Sequence, residues 1–378
     1  MIYLDSAATT LQKPKAVRRA VARALGNASS AGRGGHRGAS RAADILLDCR
    51  EAAADLFHLD DPERVCFTAN ATHGLNIAIR SLVKPGMRVV ISGYEHNAVY
   101  RPLAAMAPEG VEITVAKGEP FSPESMVYAF EQALIGGASA AVCTHVSNVF
   151  GYILPIERID GLCAKYGVPL IIDAAQSAGC VPLDVKQLKA TEFIAMPGHK
   201  GLYGPQGTGL LLCLGEHPSP LLYGGTGADS MASGMPDYLP DRLEAGTHNI
   251  HGIAGLLEGI RYVKKTGVQE ILEHHRLLVA EAAAEFYGHP HFRVHAAEWF
   301  FCQSGVLSIR PTKGTAEEAA DYLAGRGVAV RAGLHCAPLA HETAGTAETG
   351  TLRMSVSTFT ESWEIRTFAG MLKAYAGK

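Results

Sequence analysis

PLIIDAAQ at 169–176 and EFIAMPGHKGLYGPQGTG at 192–209 decide the fold. Each begins as a short apolar run and breaks into polar or glycine-rich sequence, the pattern of a strand buried on both faces that surfaces at a sheet edge. Val65–Thr68, Arg88–Ser92, Val111–Val115, Ala140–Thr144 and Thr208–Cys213 repeat the pattern. With Pro169–Asp173 and Glu192–Met196, seven strands are expected. Helical spacing alternates with many of them, as in Ile45, Cys49, Ala52 and Leu56, or in Pro155–Tyr166. Strand and helix in alternation make a mostly parallel sheet covered on both faces. Ligands of such sheets bind beyond the carboxyl ends of the strands, so the residues just after each strand carry the functional reading.

From 215 to 246 the pattern loosens into Gly, Pro, Ser and Asp, a long loop. Helical sequence follows from 250 to 287, then Gly305–Pro311, a helix near Ala316–Gly325, Leu352–Ser357 and a closing helix. The expected organisation is a large α/β domain over 1–250 and a smaller α/β domain over 251–378, with residues 1–15 placed to pack on the smaller one. Of 378 residues 47% are hydrophobic, with 41 Gly and 19 Pro scattered rather than clustered, which excludes long disordered tracts. The 34 basic and 37 acidic side chains are interspersed, so a nucleic-acid partner is not expected. No apolar run reaches the roughly 18–20 residues that cross a bilayer, and Asp5 interrupts any signal-like start. The expectation is a cytoplasmic protein with no membrane partner.

Eight cysteines lack any CxxC or short metal-type spacing, as suits a reducing compartment. Most lie in apolar runs such as AAVCT and LLLCL, whereas Cys336, in RAGLHCAPLAHE, follows Gly and His and precedes a proline, a loop context where a thiol is reachable. His248, His251, His274 and His275 have no carboxylate or cysteine at ligand spacing, so no metal is expected.

Asp173 ends one strand and Lys200 follows another, which brings a carboxylate and an amine to the same sheet edge. An isolated lysine is ordinarily a solvated charge. In a Gly/His-rich turn at the ligand edge, however, its amine can form a Schiff base with a carbonyl. Asp173 would then keep a pyridinium nitrogen protonated, the pairing that pyridoxal 5'-phosphate requires. GLYGPQGTG lacks the ending of a P-loop. Asn70, Ala71 and Thr72, where a strand turns into a helix, offer backbone N–H groups and a hydroxyl to a phosphate, although Thr72 alone could be a simple cap. His96 follows the strand RVVIS and can stack on a planar ring; Asn148 ends another strand and can donate to an oxygen.

Taken together, EHNA, SNVFG, DAAQSAG, GHKGLYGP, EAGTHN, RAGLHCAP and TLRMS occur in the order seen in the pyridoxal-phosphate cysteine desulfurases of the class V aminotransferase family, and the resemblance spans nearly the whole chain. It implies fold type I of pyridoxal-phosphate enzymes, a seven-stranded, mostly parallel sheet with a smaller C-terminal α/β domain, and a homodimer with sites near the subunit boundary. Lys200 resembles the Schiff-base lysine, Asp173 the ring-nitrogen partner, Gln176 the donor to the ring hydroxyl and His96 the stacked imidazole. Ala71, Thr72 and His199 match phosphate-loop positions, and Thr247 matches the residue lent to the neighbouring subunit's phosphate. Asn148 and Arg353 match the groups that hold the substrate carboxylate. Cys336 matches the nucleophile that takes sulfur from L-cysteine as a persulfide, leaving L-alanine.

The short RAGLHCAP loop resembles the SufS-like subgroup, which hands its persulfide to a sulfur-acceptor protein and supplies iron-sulfur cluster assembly. Pro197 stands where the family commonly has Ser, which removes one phosphate hydroxyl, and the Gly32–His36 stretch lacks a His often found at its first position. Adjacent His335 and nearby Arg331 are candidates for lowering the thiol pKa. Rival readings are an L-selenocysteine lyase, another class V enzyme such as a β-lyase or aminotransferase, and a non-catalytic scaffold. Cys336 discriminates, because aminotransferases need no nucleophilic thiol.

Overall fold

A computed structural model describes every residue except 33, 217, 228–230, 299, 377 and 378; Arg33 of the Gly32–His36 stretch thus lies outside the described residues. Strand β1 (Ile2–Tyr3) is followed by β2 (Val65–Thr68), β3 (Arg88–Ser92), β4 (Glu112–Ala116), β5 (Ala140–Thr144), β6 (Leu170–Asp173), β7 (Thr191–Pro197) and β8 (Gly209–Cys213). β2 to β8 form one sheet in the order β2-β8-β7-β6-β5-β3-β4. Only β8 runs antiparallel to its neighbours β2 and β7. The carboxyl ends of β2, β3, β5, β6 and β7 therefore share one edge.

Four expected strand starts move by one residue, to Glu112, Leu170, Thr191 and Gly209, the first two for a local reason. Val111 spends its N–H on the Met106 carbonyl of the preceding turn, so pairing begins at Glu112, opposite Arg88. Pro169 has no N–H for the ladder, and β6 begins at Leu170. Ala141, Cys143, Leu170, Ile172, Ile194 and Leu212 feed the core on one face of the sheet. Val89, Ile91, Ala140, Val142, Ile171, Phe193 and Leu211 feed the core on the other. This alternation within fully buried strands is why they read as continuous apolar runs.

Between β8 and the helix Ile250–Thr266 the described residues form neither helix nor strand. The helical sequence beyond is broken by Gly267, at φ 91°, into Ile250–Thr266 and Val268–Ala284. The first helix sends Ile253, Leu256, Leu257 and Ile260 into the core under the large sheet. The second sends Leu278, Val279, Ala282 and Ala283 to a separate core. The two halves of this helical sequence thus feed different cores.

The separate core lies against a second sheet of β9 (Phe292–His295), β10 (Val306–Pro311), β12 (Arg331–Gly333) and β13 (Thr351–Ser355), antiparallel in the order β12-β13-β10-β9. β11 (Val328–Ala329) pairs in parallel with β1, which ties the amino terminus to this region. Asp5 bridges to Ser355, and the Ala7 N–H donates to the Ser355 hydroxyl. The next residues run to the large sheet, where Thr10 N–H, Thr10 Oγ1 and Lys13 Nζ all donate to the His199 carbonyl. The first 13 residues thus strap one sheet to the other across the site edge.

Candidate active site

A cavity of about 100 Å³ opens at the carboxyl edge of the large sheet. Its walls include Asn70, Ala71, Thr72, His96, Asn148, Asp173, Gln176, Pro197, His199 and Lys200. Eight of the expected site residues, Ala71, Thr72, His96, Asn148, Asp173, Gln176, His199 and Lys200, meet here.

Asp173 ends β6 and is buried, its Oδ1 accepting from the Ala175 N–H at 2.8 Å. Burial pushes its carboxyl upward, while that hydrogen bond and nearby Lys200 pull it back. Lys200 leaves the turn after β7, and desolvation in the pocket pulls its ammonium down to about 8, against the raising effect of Asp173. Near neutral pH the amine therefore loses its proton far more readily than an exposed lysine does.

His96 caps the helix Asn97–Ala104, its Nδ1 accepting from the Ala98 N–H at 3.0 Å. A ring nitrogen that accepts leaves its proton on Nε2. Burial, with Lys200 and Arg353 nearby, lowers the imidazole to about 4, so His96 is neutral. His199 places Nδ1 3.1 Å from Thr9 Oγ1 and is likewise pulled down to about 4 by burial. Gln176 donates from Nε2 to the Ala7 carbonyl at 2.9 Å.

The helix Ala71–Leu82 begins at the cavity, and its cap is Asn70, whose Oδ1 accepts from the His73 N–H at 2.9 Å. With the cap supplied by Asn70, Thr72 is left in the first turn as a cavity wall. First-turn N–H groups have no intrahelical acceptor and suit an anion. Pro197 forms part of the cavity wall. An amine, a buried carboxylate, a neutral imidazole and a helix start converge on one cavity, a donor set that matches the aldehyde, ring nitrogen, ring face and phosphate of pyridoxal 5'-phosphate.

Three expected residues are not cavity walls. Arg353, in β13, is buried; its Nη2 donates to Asp5 Oδ1 at 2.8 Å and its Nη1 to the Asn148 carbonyl at 2.9 Å, while Nε has no partner. Asn148 thereby joins the cavity wall to Arg353. Cys336 sits on the turn after β12 and is exposed; the other cysteines are buried, except half-buried Cys180. Its carbonyl accepts from the Asn97 N–H at 2.8 Å, and the His335 carbonyl accepts from Asn148 Nδ2 at 2.7 Å. The thiol-bearing turn is thus bonded to the helix that His96 caps and to a wall residue of the cavity.

Thr247 is exposed and lines a different cavity, beside His73 and Gly207. Its loop is fixed by Glu244, which takes a bidentate pair from Arg50 at 2.8 and 2.6 Å, accepts from the Phe67 N–H and lies 3.0 Å from His248 Nε2. His248 is therefore engaged with the Glu244 carboxylate that fixes the loop. Among the described residues no group of three or more His, Cys, Asp or Glu is arranged to hold a metal, and no helix is long and apolar enough to cross a membrane.

Asp5, Thr9, Thr10 and Lys13 were not singled out individually as site residues in the sequence, although LDSAATT was the available signal. Glu95, inside EHNA, is a second omission. It is fully buried, accepts from Ser92 Oγ at 2.5 Å and from the Thr144 N–H at 2.7 Å, and leaves Oε2 without a partner. Burial, with nearby Asp173 adding, drives its carboxyl up to about 8.

The aminotransferase class-V family model matches residues 2–368. A probable cysteine desulfurase of Pyrococcus abyssi is 31% identical over an alignment covering 99% of this chain and 94% of the relative. A cysteine desulfurase of Escherichia coli K12 is 30% identical, with 89% and 84% covered. The apo structure of a cysteine desulfurase from Thermococcus onnurineus superimposes with a TM-score of 0.92 at 29% identity, covering 100% of this chain and 94% of that one.

Proposed function

This chain belongs to the class V aminotransferase family, and from that premise we propose that it is a pyridoxal-phosphate-dependent cysteine desulfurase that converts L-cysteine to L-alanine and takes the sulfur on Cys336. One observation carries the reading. The exposed cysteine sits on a turn hydrogen-bonded to the wall and to the capped helix of the cavity that holds Lys200, Asp173 and His96. An aminotransferase would have no use for that placement.

Ala71, Thr72 and His199 would hold the cofactor's phosphate, Asp173 its ring nitrogen, Gln176 its ring hydroxyl, His96 its ring face and Lys200 its aldehyde carbon. When bound, the cofactor supplies an electron sink for the pair left behind as a substrate's α-proton departs. Lys200, with its lowered proton affinity, takes that proton as general base. Asp173 keeps the ring nitrogen's proton in place. Arg353, braced by Asp5 and by the Asn148 carbonyl, and Asn148 hold the substrate carboxylate. The Cys336 thiolate attacks the substrate sulfur, so that a C–S bond breaks and an S–S bond forms. Cysteine plus the thiol becomes alanine plus the persulfide, with atoms and electrons balanced.

In a homodimer, Thr247 of each subunit would help to hold the phosphate of the cofactor bound by its neighbour. A persulfide on the exposed, short Cys336 loop suits the SufS-like subgroup's transfer of sulfur to a separate acceptor protein. The chain is assigned to the cytoplasm.

The test is alanine and sulfide release from L-cysteine in the presence of a reducing thiol, with L-selenocysteine in parallel. Cys336→Ala is expected to keep the bound cofactor and to lose at least about a hundredfold in turnover of L-cysteine. Unchanged turnover would return the chain to the β-lyases or aminotransferases. Selenocysteine, whose selenium leaves more readily, does not discriminate.

A further inference from the structure

Cys336 is held in an unusual backbone conformation. The chain leaves β12 at Gly333, and the Ala337 N–H donates to the Leu334 carbonyl at 2.9 Å, closing a four-residue turn. Its two central residues, His335 and Cys336, both lie in the left-handed region, at φ 49° and 58°. A turn with positive φ at both centres ordinarily carries Asn-Gly, and residues with a Cβ adopt it only where their surroundings over-determine it.

The surroundings here are hydrogen bonds directed at these two residues. Asn148 Nδ2 donates to the His335 carbonyl and the Asn97 N–H to the Cys336 carbonyl. The His335 side chain supplies a third. It is buried, with Nε2 3.1 Å from the Thr351 carbonyl and 3.3 Å from Thr351 Oγ1. Thr351 Oγ1 is in turn 2.9 Å from Ser308 Oγ, which donates to the Val149 carbonyl at 2.7 Å. Thr351 and Ser308 are completely buried. A polar thread therefore runs from the Cys336 turn through β13 and β10 to the turn that carries Asn148.

The imidazole is directed away from the role that adjacency in sequence suggests. A carbonyl can only accept, so Nε2 carries the ring proton, and the buried Nδ1 has no partner. Burial, together with Arg353, His341 and Arg331, depresses the imidazole to about 2. The His341 ring lies 5.7 Å away, and it too is lowered by burial. The ring's hydrogen-bond partners are the carbonyl and hydroxyl of Thr351, and neither is acidic.

We propose that His335 is a positioning residue: a neutral imidazole that donates to the Thr351 carbonyl and thereby sets the strained turn that aims Cys336, with no part in activating the thiol. The inference rests on Cys336 being the sulfur-accepting nucleophile, and it adds what holds that nucleophile in place.

The experiment uses the cofactor-loaded protein and three forms: wild type, His335→Gln and His335→Ala. Gln keeps a neutral donor at similar reach, whereas Ala removes it. The rate of Cys336 alkylation by iodoacetamide, followed on the Cys336 peptide as a function of pH, reports the thiol pKa without turnover. Its midpoint is expected to stay in place in both variants. A rise of about one unit or more in both would identify His335 as the thiol's charge partner and overturn the proposal. In the desulfurase assay His335→Ala is expected to lose roughly tenfold or more in kcat, with KM for cysteine little changed, and His335→Gln to recover most of that loss. Gln no better than Ala, or Ala as active as wild type, also overturns it. The desulfurase reading is judged separately, because turnover surviving in Cys336→Ala would defeat that reading and leave the alkylation midpoints unaffected.

Discussion

The Lys200 turn, which lines the cavity, and the Cys336 turn, which is hydrogen-bonded to a residue of its wall, are built in opposite ways. Lys200 follows a central strand of the large sheet; its turn is gripped by Thr10 and Lys13 at the His199 carbonyl, and its amine is desolvated. Cys336 follows the short edge strand of the small sheet, is exposed, and is held by hydrogen bonds to two carbonyls and one imidazole. The difference matches the two tasks. Proton removal needs an amine whose pKa burial has lowered, and burial requires a rigid frame. Sulfur transfer needs a thiol that reaches into the cavity and remains accessible to an acceptor.

The sharpest way to break the comparison is at the buried turn. Lys200→Ala is expected to abolish covalent retention of the cofactor, with its yellow colour, and to cut cysteine turnover by about a thousandfold or more. Borohydride reduction followed by peptide mapping should tag Lys200 in the wild type; a tag on another lysine would mean that the framed amine is not the reactive one.

A smaller effect is expected where a second subunit would enter in the proposed dimer. Thr247→Ala, at an exposed position on a loop fixed by the Arg50–Glu244 pair, should weaken cofactor retention about tenfold and leave the dimer intact by sedimentation. A monomer that holds the cofactor fully would remove the shared site from the account.

The smallest effect concerns the frame around His96. In the folded chain Glu95 keeps its proton up to about pH 8, whereas unfolded it releases that proton near its ordinary value of 4.5. The folded state therefore binds more protons across this window. Stability linked to Glu95 is fully present below pH 4.5 and is lost as the pH rises to about 8. Glu95→Gln keeps an acceptor for Ser92 and Thr144 and has no proton to lose. Its melting temperature relative to wild type should be near zero difference at pH 4.5 and higher by a few degrees at pH 8. A difference that does not change with pH would show Glu95 to be ordinary in acidity.

The large sheet was legible because its strands are buried on both faces, which leaves continuous apolar runs, and because ligand residues of a parallel sheet follow strand ends. Asp173, Lys200, His96 and Asn148 were found in that way. Cys336 was legible from its polar context, since most of the buried cysteines lie in apolar runs. The conformation of its turn was not, because His-Cys is a poor sequence for two left-handed residues and the bonds that impose it come from Asn97, Asn148 and Thr351, all distant in the chain. Glu95 was hidden for a related reason: an acid beside a histidine reads as solvated until burial is known. The helix Ile250–Thr266 announced its periodicity without saying which core it feeds.

The central claim is that sulfur passes through the exposed turn rather than through any buried thiol. Incubating the wild type with L-cysteine and no reductant, then mapping peptides by mass spectrometry, tests it most directly. One additional sulfur is expected on the peptide containing Cys336 and none on peptides containing the other cysteines. Additional sulfur on a different cysteine, or alanine formed with Cys336 unmodified throughout, would contradict it.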